Sequence, residues 1–177
     1  GEHSSGGAVS SNRAVAVANS TFTGNYTTGY VATGGALYGQ QTVTVTNSTF
    51  SGNSTTGESA GGGAINSSQD LIVTNSTFSD NHASGNYAYG GAIAGSNGVT
   101  ITQSTVSGNS ATGNFATGGG VYAARALLMI NSTISGNFAE VDGGGHLHHE
   151  VRRQDRGDAE RDPHALQVQP HRRVQVG

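Results

Sequence analysis

The chain contains no cysteine, so neither disulfide staples nor CxxC-type metal sites hold it together, and any fold must rest on burial and backbone pairing. It has no lysine, charged residues make up only 11% of its 177 positions, and the formal net charge is −3 at pH 7. So slight a bias gives no footing for nucleic acid or an anionic membrane surface as a partner. No apolar run approaches the ~20 residues of a membrane-spanning helix, so no transmembrane segment is expected. Neither an initiating Met nor a signal peptide precedes Gly1, and we expect an internal piece of a longer protein or a processed product. So low a charged fraction usually accompanies low complexity. Here repetition accounts for it.

What the chain does have is a period of 28 residues without a gap. The motif F/V/I-x-x-N begins at Phe22, Phe50, Phe78, Val106 and Ile134. Ahead of each copy comes G-G-A/G-aliphatic, starting at Gly6, Gly34, Gly62, Gly90 and Gly118. Further apolar columns run Val15, Val43, Leu71, Val99, Leu127 and Val17, Val45, Val73, Ile101, Met129, with another through Val9, Leu37, Ile65, Ile93 and Val121. Within a repeat, as in TVTVTNSTF from Thr42 to Phe50, apolar and hydroxyl side chains alternate with period two, which is the mark of a strand with one buried face. Val, Thr and Phe suit strands, and the SGN and TG pieces suit corners.

One such repeat buries too little to stand alone, but stacked copies share a continuous core. The expected architecture is all-β: a parallel β-solenoid of about five 28-residue coils, with three short strands per coil at GGAL, TVTVT and STFS. Coils would rise ~4.8 Å each, the interstrand spacing. The inward core would include Val17, Val45, Val73, Ile101 and Met129, together with Phe22, Phe50, Phe78, Val106 and Ile134. Asparagine marks two corners, in the columns Asn19, Asn47, Asn75, Gln103, Asn131 and Asn25, Asn53, Asn81, Asn109, Asn137. Amides stacked at this spacing can hydrogen-bond up and down a ladder. The N-S-T triplets also match the glycosylation acceptor pattern, but they recur with the coil, which favours a structural role.

The alternating GGA[ILV] and FxxN motifs resemble the repeats of bacterial polymorphic outer membrane proteins. The fuller line GGALYGQQTVTVTNSTFSGNSTTG resembles the right-handed parallel β-helix, pectin-lyase-like, of autotransporter passengers and large bacterial surface proteins. The resemblance covers Gly6 to about Gly145 and implies a secreted or surface-displayed segment acting in structural display and adhesion. Host or environmental glycans or surface proteins would then be the partners. Open strand edges at the ends of the stack would favour end-to-end self-association.

The same fold carries pectate lyases and polygalacturonases, so a fragment of a polysaccharide-degrading enzyme is the main rival. That chemistry needs grouped carboxylates. The acids ahead of Gly145 are Glu2, Glu58, Asp70, Asp80, Glu140 and Asp142, and Glu58, Asp70 and Asp80 share no column. We therefore assign no catalytic residue, metal or cofactor. The variable stretch between FxxN and the next GGA keeps a frame of Gly29, Gly57, Gly85, Gly113 and Ala32, Ala60, Ala88, Ala116, while Tyr30, Glu58, Tyr87 and Phe115 vary on it. Variation on a constant frame is where a solenoid places binding, and these four are the candidate contact residues. Tyr26 and Tyr89 could also stack on sugar rings, although aromatics in such a stretch commonly just cover the side of a solenoid. A third reading comes from the outward ranks Thr21/Thr23, Thr49/Ser51, Thr77/Ser79, Thr105/Ser107 and Thr133/Ser135, a hydroxyl face superficially like an ice-binding solenoid. The serines of its second rank weigh against it.

After Gly145 the composition breaks, giving a repeat domain over 1–145 and an atypical tail over 146–177 with no Ser, Thr, Asn, Phe or Tyr. The tail holds five of the seven histidines, beginning with GGGHLHHE at 143–150, but His149-Glu150 lacks the second histidine that a zincin motif needs at Arg153. If HLHH is encoded CAT CTA CAC CAC, a shift of one base reads Ile-Tyr-Thr-Thr and restores GGG-aliphatic-Tyr, so an out-of-frame or disordered tail is expected rather than a metal site.

Overall fold

The computed structural model describes residues 2–139 and the backbone strand Val151–Arg153. The chain winds in a parallel solenoid in which, through residue 139, each strand residue pairs with the one 28 positions on. The first ladder joins Val9–Ser11, Leu37–Gly39, Ile65–Ser67, Ile93–Gly95 and Val121–Ala123. The second joins Val15–Ala18, Val43–Thr46, Leu71–Thr74, Gly98–Thr102 and Ala126–Ile130, with Val151–Arg153 paired beside Leu127–Met129. The third joins Thr21–Thr23, Thr49–Ser51, Thr77–Ser79, Thr105–Ser107 and Thr133–Ser135.

These are the three strands expected per coil, the first of them falling slightly later than GGAL suggests. Two further ladders run through the stretch read from sequence as a variable loop. The fourth joins Tyr26–Thr28, Ser54–Thr56, His82–Ser84, Ser110–Thr112 and Phe138–Ala139. The fifth joins His3–Ser5, Val31–Thr33 and Ser59–Gly61, then continues as single bridges through Tyr89 and Thr117.

The first three ladders enclose a prism. Leu37, Val43, Val45, Phe50, Ile65, Leu71, Val73, Phe78, Ile101 and Val106 are fully buried in it. Val17, Phe22, Met129 and Ile134, in the end coils, are partly buried against the same cluster. Phe22, Phe50 and Phe78 stack face to face, with centroids 4.7 and 4.9 Å apart and planes within 5°. That distance is the interstrand step itself, so strand pairing and ring stacking are satisfied by one geometry.

The fourth and fifth ladders fold back on each other as a thin lobe beside the prism. Its interior is a separate cluster of Ala60, Ala83, Ala88, Ala111 and Ala116, with Thr27 and Thr55 buried nearby in the fourth ladder. The glycine pair pinches lobe against prism. A Cβ on Gly63 would run into the carbonyl oxygens of Gly91 and His82, both of them backbone that cannot swing away.

Polar ladders close the corners. The side-chain oxygen of Asn81 accepts from the backbone N–H and the side-chain amide of Asn53 (3.0 and 2.9 Å), and its own amide donates to Phe50 O and Asn109 Oδ1 (3.0 and 2.9 Å). The Asn19, Asn47, Asn75, Asn131 column instead stands outside, at φ between 47° and 49°, a left-handed conformation that asparagine tolerates. Its amides bond at 3.3 Å (Asn47 to Asn19) and 2.7 Å (Asn75 to Asn47). A serine ladder follows it inward: the Ser48 hydroxyl accepts from the Ser20 N–H (3.1 Å) and donates to Thr46 O (2.8 Å).

Candidate functional site

The tip of the lobe is where exposed side chains differ most from coil to coil. Its glycine column can be nothing else, since a Cβ on Gly85 would run into the Gly57 carbonyl oxygen one coil away. That close approach stacks the following residues tightly, and the register sorts the four candidate residues into two neighbouring columns. Tyr30 and Glu58 share one column with Asn86 and Asn114; Tyr87 and Phe115 belong to the next.

In the first column Glu58 Oε1 accepts from the Asn86 amide (3.0 Å), and Asn86 Oδ1 accepts from the Asn114 amide (2.7 Å). Tyr30 stands at the head of the column, 65% exposed. In the second column the Tyr87 and Phe115 rings stack with centroids 5.0 Å apart and planes 10° from parallel. Beside the amide ladder, on the fourth-ladder side, an open groove of about 520 Å³ is lined by Glu58, Ser84, Asn86, Thr112 and Asn114 with the tip glycines.

Ser84 and Thr112 are absent from the sequence-based candidates, as is His82, which shares hydrogen bonds with Ser110 Oγ (2.7 Å) and Thr112 Oγ1 (3.4 Å). Their signal is the alternation His82-Ala83-Ser84 and Ser110-Ala111-Thr112, a period-two pattern muted by the small size of alanine.

Tyr26 projects from the outside of the fourth ladder, 69% exposed. Tyr89 behaves differently. Its ring lies over Gly61 and meets Tyr122 edge-on at 5.2 Å. Burial pushes its phenol above the usual tyrosine range, with the Asn66 side chain acting in the opposite direction. Tyr89 therefore clasps the lobe to the prism.

The three carboxylates weighed for catalysis stand at three different corners. Glu58 is tied to Asn86, Asp80 occupies a turn at φ 55°, and Asp70 Oδ1 accepts from the Asn97 amide (2.7 Å) and the Gly98 N–H (3.1 Å). Among the described residues, no three His, Asp or Glu side chains gather as a metal site. The histidines of 146–150 fall outside the described residues, as does the rest of the tail apart from the backbone of Val151–Arg153. On the third ladder the Thr23 and Ser51 hydroxyls bond to each other at 3.1 Å, so that part of the hydroxyl face is engaged with itself.

Parallel coils in constant register, a stacked apolar interior and asparagine-closed corners define a β-helix repeat protein. The chain belongs to the family described as the right handed beta helix region, which matches residues 2–139. No curated protein and no solved structure matches it significantly. No helix among the described residues is long and apolar enough to cross a membrane.

Proposed function

We propose that this chain is a non-catalytic repeat segment of a secreted or cell-surface bacterial protein of the polymorphic outer membrane or autotransporter passenger type. Its solenoid displays the lobe tip to glycans or to surface proteins. The observation that carries this reading is the contrast between frame and tip. Glycine and alanine recur at fixed places in the lobe, while the partly or fully exposed positions beside them change from Tyr30 to Glu58 to Asn86 and from Val31 to Ser59 to Tyr87. A scaffold that holds its register and varies its edge is suited to contact rather than to turnover. The separation of Glu58, Asp70 and Asp80 onto different corners speaks in the same direction, since polysaccharide cleavage needs its carboxylates together.

The test is a glycan array combined with an assay for release of reducing ends from polygalacturonate. Retention of glycans without turnover is the expected result. Turnover that disappears on replacing Glu58, Asp70 or Asp80 would reverse the assignment in favour of an enzyme.

A further inference from the structure

The outward column that opens the fifth ladder reads His3, Val31, Ser59, Tyr87, Phe115, one residue per coil. The register continues beyond the last paired strand. The Ser59 N–H donates to Tyr30 O (3.0 Å), the Tyr87 N–H to Glu58 O (2.8 Å) and the Phe115 N–H to Asn86 O (2.8 Å). Phe50 in the interior is stacked on both faces and has no exposure. Tyr87, stacked on Phe115 alone, keeps 50%. Its bare face looks along the axis toward Ser59, the smallest side chain of the column. Beyond Ser59 stands Val31.

Two coil steps, about 9.6 Å, separate Val31 from Tyr87. Side chains that thick at both ends leave room over Ser59 for one slab the thickness of a ring. The comparable gap at Gly61, two residues along, is already closed by the Tyr89 ring. Glu58 directly precedes Ser59 in the chain; its Oε1 holds Asn86 at 3.0 Å and its Oε2 has no protein hydrogen bond among the described residues. A flat aromatic face on one wall, an aliphatic wall opposite and a carboxylate oxygen at the edge are what a sugar ring requires. The C–H face packs on the aromatic and a ring hydroxyl donates to the carboxylate. That same carboxylate repels an anionic sugar.

We propose that the gap over Ser59 is a subsite for a single neutral pyranose, stacked on Tyr87 and hydrogen-bonded to Glu58. This rests on the glycan-contact reading above and adds to it a place, a ring and a charge. It assigns neutral hexose oligosaccharides, and not polyuronates, as the ligand class.

The experiment is calorimetric titration of the full chain with cellohexaose, mannohexaose, maltohexaose and hexagalacturonate, repeated on Ser59→Phe. A phenylalanine there extends the Tyr87–Phe115 stack by one ring. The variant should therefore keep or raise the melting temperature while binding its neutral hexaose at least about tenfold more weakly. Should Ser59→Phe fail to fold, Tyr87→Ala at an exposed position carries the same expectation of loss. Unchanged affinity for the neutral hexaose in either folded variant overturns the slot but leaves glycan contact elsewhere on the lobe intact. Preference for hexagalacturonate likewise overturns the slot and keeps the broader reading. Failure of the wild-type chain to bind any of the four overturns the slot, and a glycan array that is also silent overturns glycan contact as a whole.

Discussion

The side-chain oxygen of Asn53 takes two hydrogen bonds from a single residue one coil away, the backbone N–H of Asn25 at 3.0 Å and its amide at 2.9 Å. Asn81 repeats this toward Asn53 in a fully buried setting. Asn81→Ala therefore strands the Asn53 N–H and one hydrogen of the Asn53 side-chain amide away from water. Each orphaned group costs about 1–3 kcal/mol. The expected loss in urea-unfolding stability is at least about 2 kcal/mol. The exposed Asn75 is a control: Asn75→Gly keeps its φ of 47° accessible and should change stability by less than about 1 kcal/mol. Equal losses at both sites would mean that burial does not separate the two ladders.

Thr55 presents the opposite case. Its hydroxyl oxygen is buried and without a hydrogen-bond partner, as is that of Thr27. Thr55→Val keeps the shape and removes the orphan, so the melting temperature should hold or rise. A loss above about 1 kcal/mol would show that the hydroxyl has a partner, a bound water for instance.

Val73 is fully buried between Val45 and Ile101. Val73→Asp places a carboxylate there with nothing to pair it, at a cost of several kcal/mol or a neutralised, strongly shifted acid. An unchanged thermal transition would contradict the inward orientation of this column.

Gly63→Ala tests the pinch between lobe and prism. The added methyl meets backbone on both sides, the Gly91 and His82 carbonyls, so no side-chain rearrangement relieves it. A loss of roughly 1–3 kcal/mol or more is expected from chemical unfolding, since overpacking here must move strands. A neutral result would show that lobe and prism separate easily.

Tyr89 supplies a pH dependence. Burial raises its phenol above the ordinary value, so the folded state holds this proton more tightly than the unfolded chain. Stability is then complete below about pH 10 and falls as the pH rises through the interval between the unfolded and folded values, where the unfolded chain binds fewer protons. Urea midpoints should decline above about pH 10. Tyr89→Phe should flatten that decline, and an identical slope in the variant would locate the alkaline effect elsewhere.

The prism was legible from sequence because its columns contain large residues. Phe22, Phe50 and Phe78 advertise a 28-residue step and an inward direction together. The lobe was not legible as strands, for a physical reason. Its inward residues are Thr27, Thr55, Ala83 and Ala111, facing Ala32, Ala60, Ala88 and Ala116, and such small side chains give little apolar contrast with the serines and threonines that alternate with them. Column membership did place Tyr30 with Glu58 and Tyr87 with Phe115. Contacts between columns stay hidden at that level. The lean of Tyr89 over Gly61 toward Asn66 depends on a rotamer choice that no spacing reports. The Asp70–Gly98 contact is intermediate. The two residues are one period apart, but only the fold shows that the absent side chain at Gly98 leaves space for the Asp70 carboxylate.

The constant 28-residue register over residues 2–139 has an evolutionary consequence. Recombination between two copies of the repeat that adds or removes a whole unit returns a chain whose prism columns still match, whichever units are exchanged. Such events reshuffle the order of tip residues along the axis at no cost to folding. A substitution in one tip column travels with its unit, so point changes and unit exchange together vary the outer face while the prism stays matched.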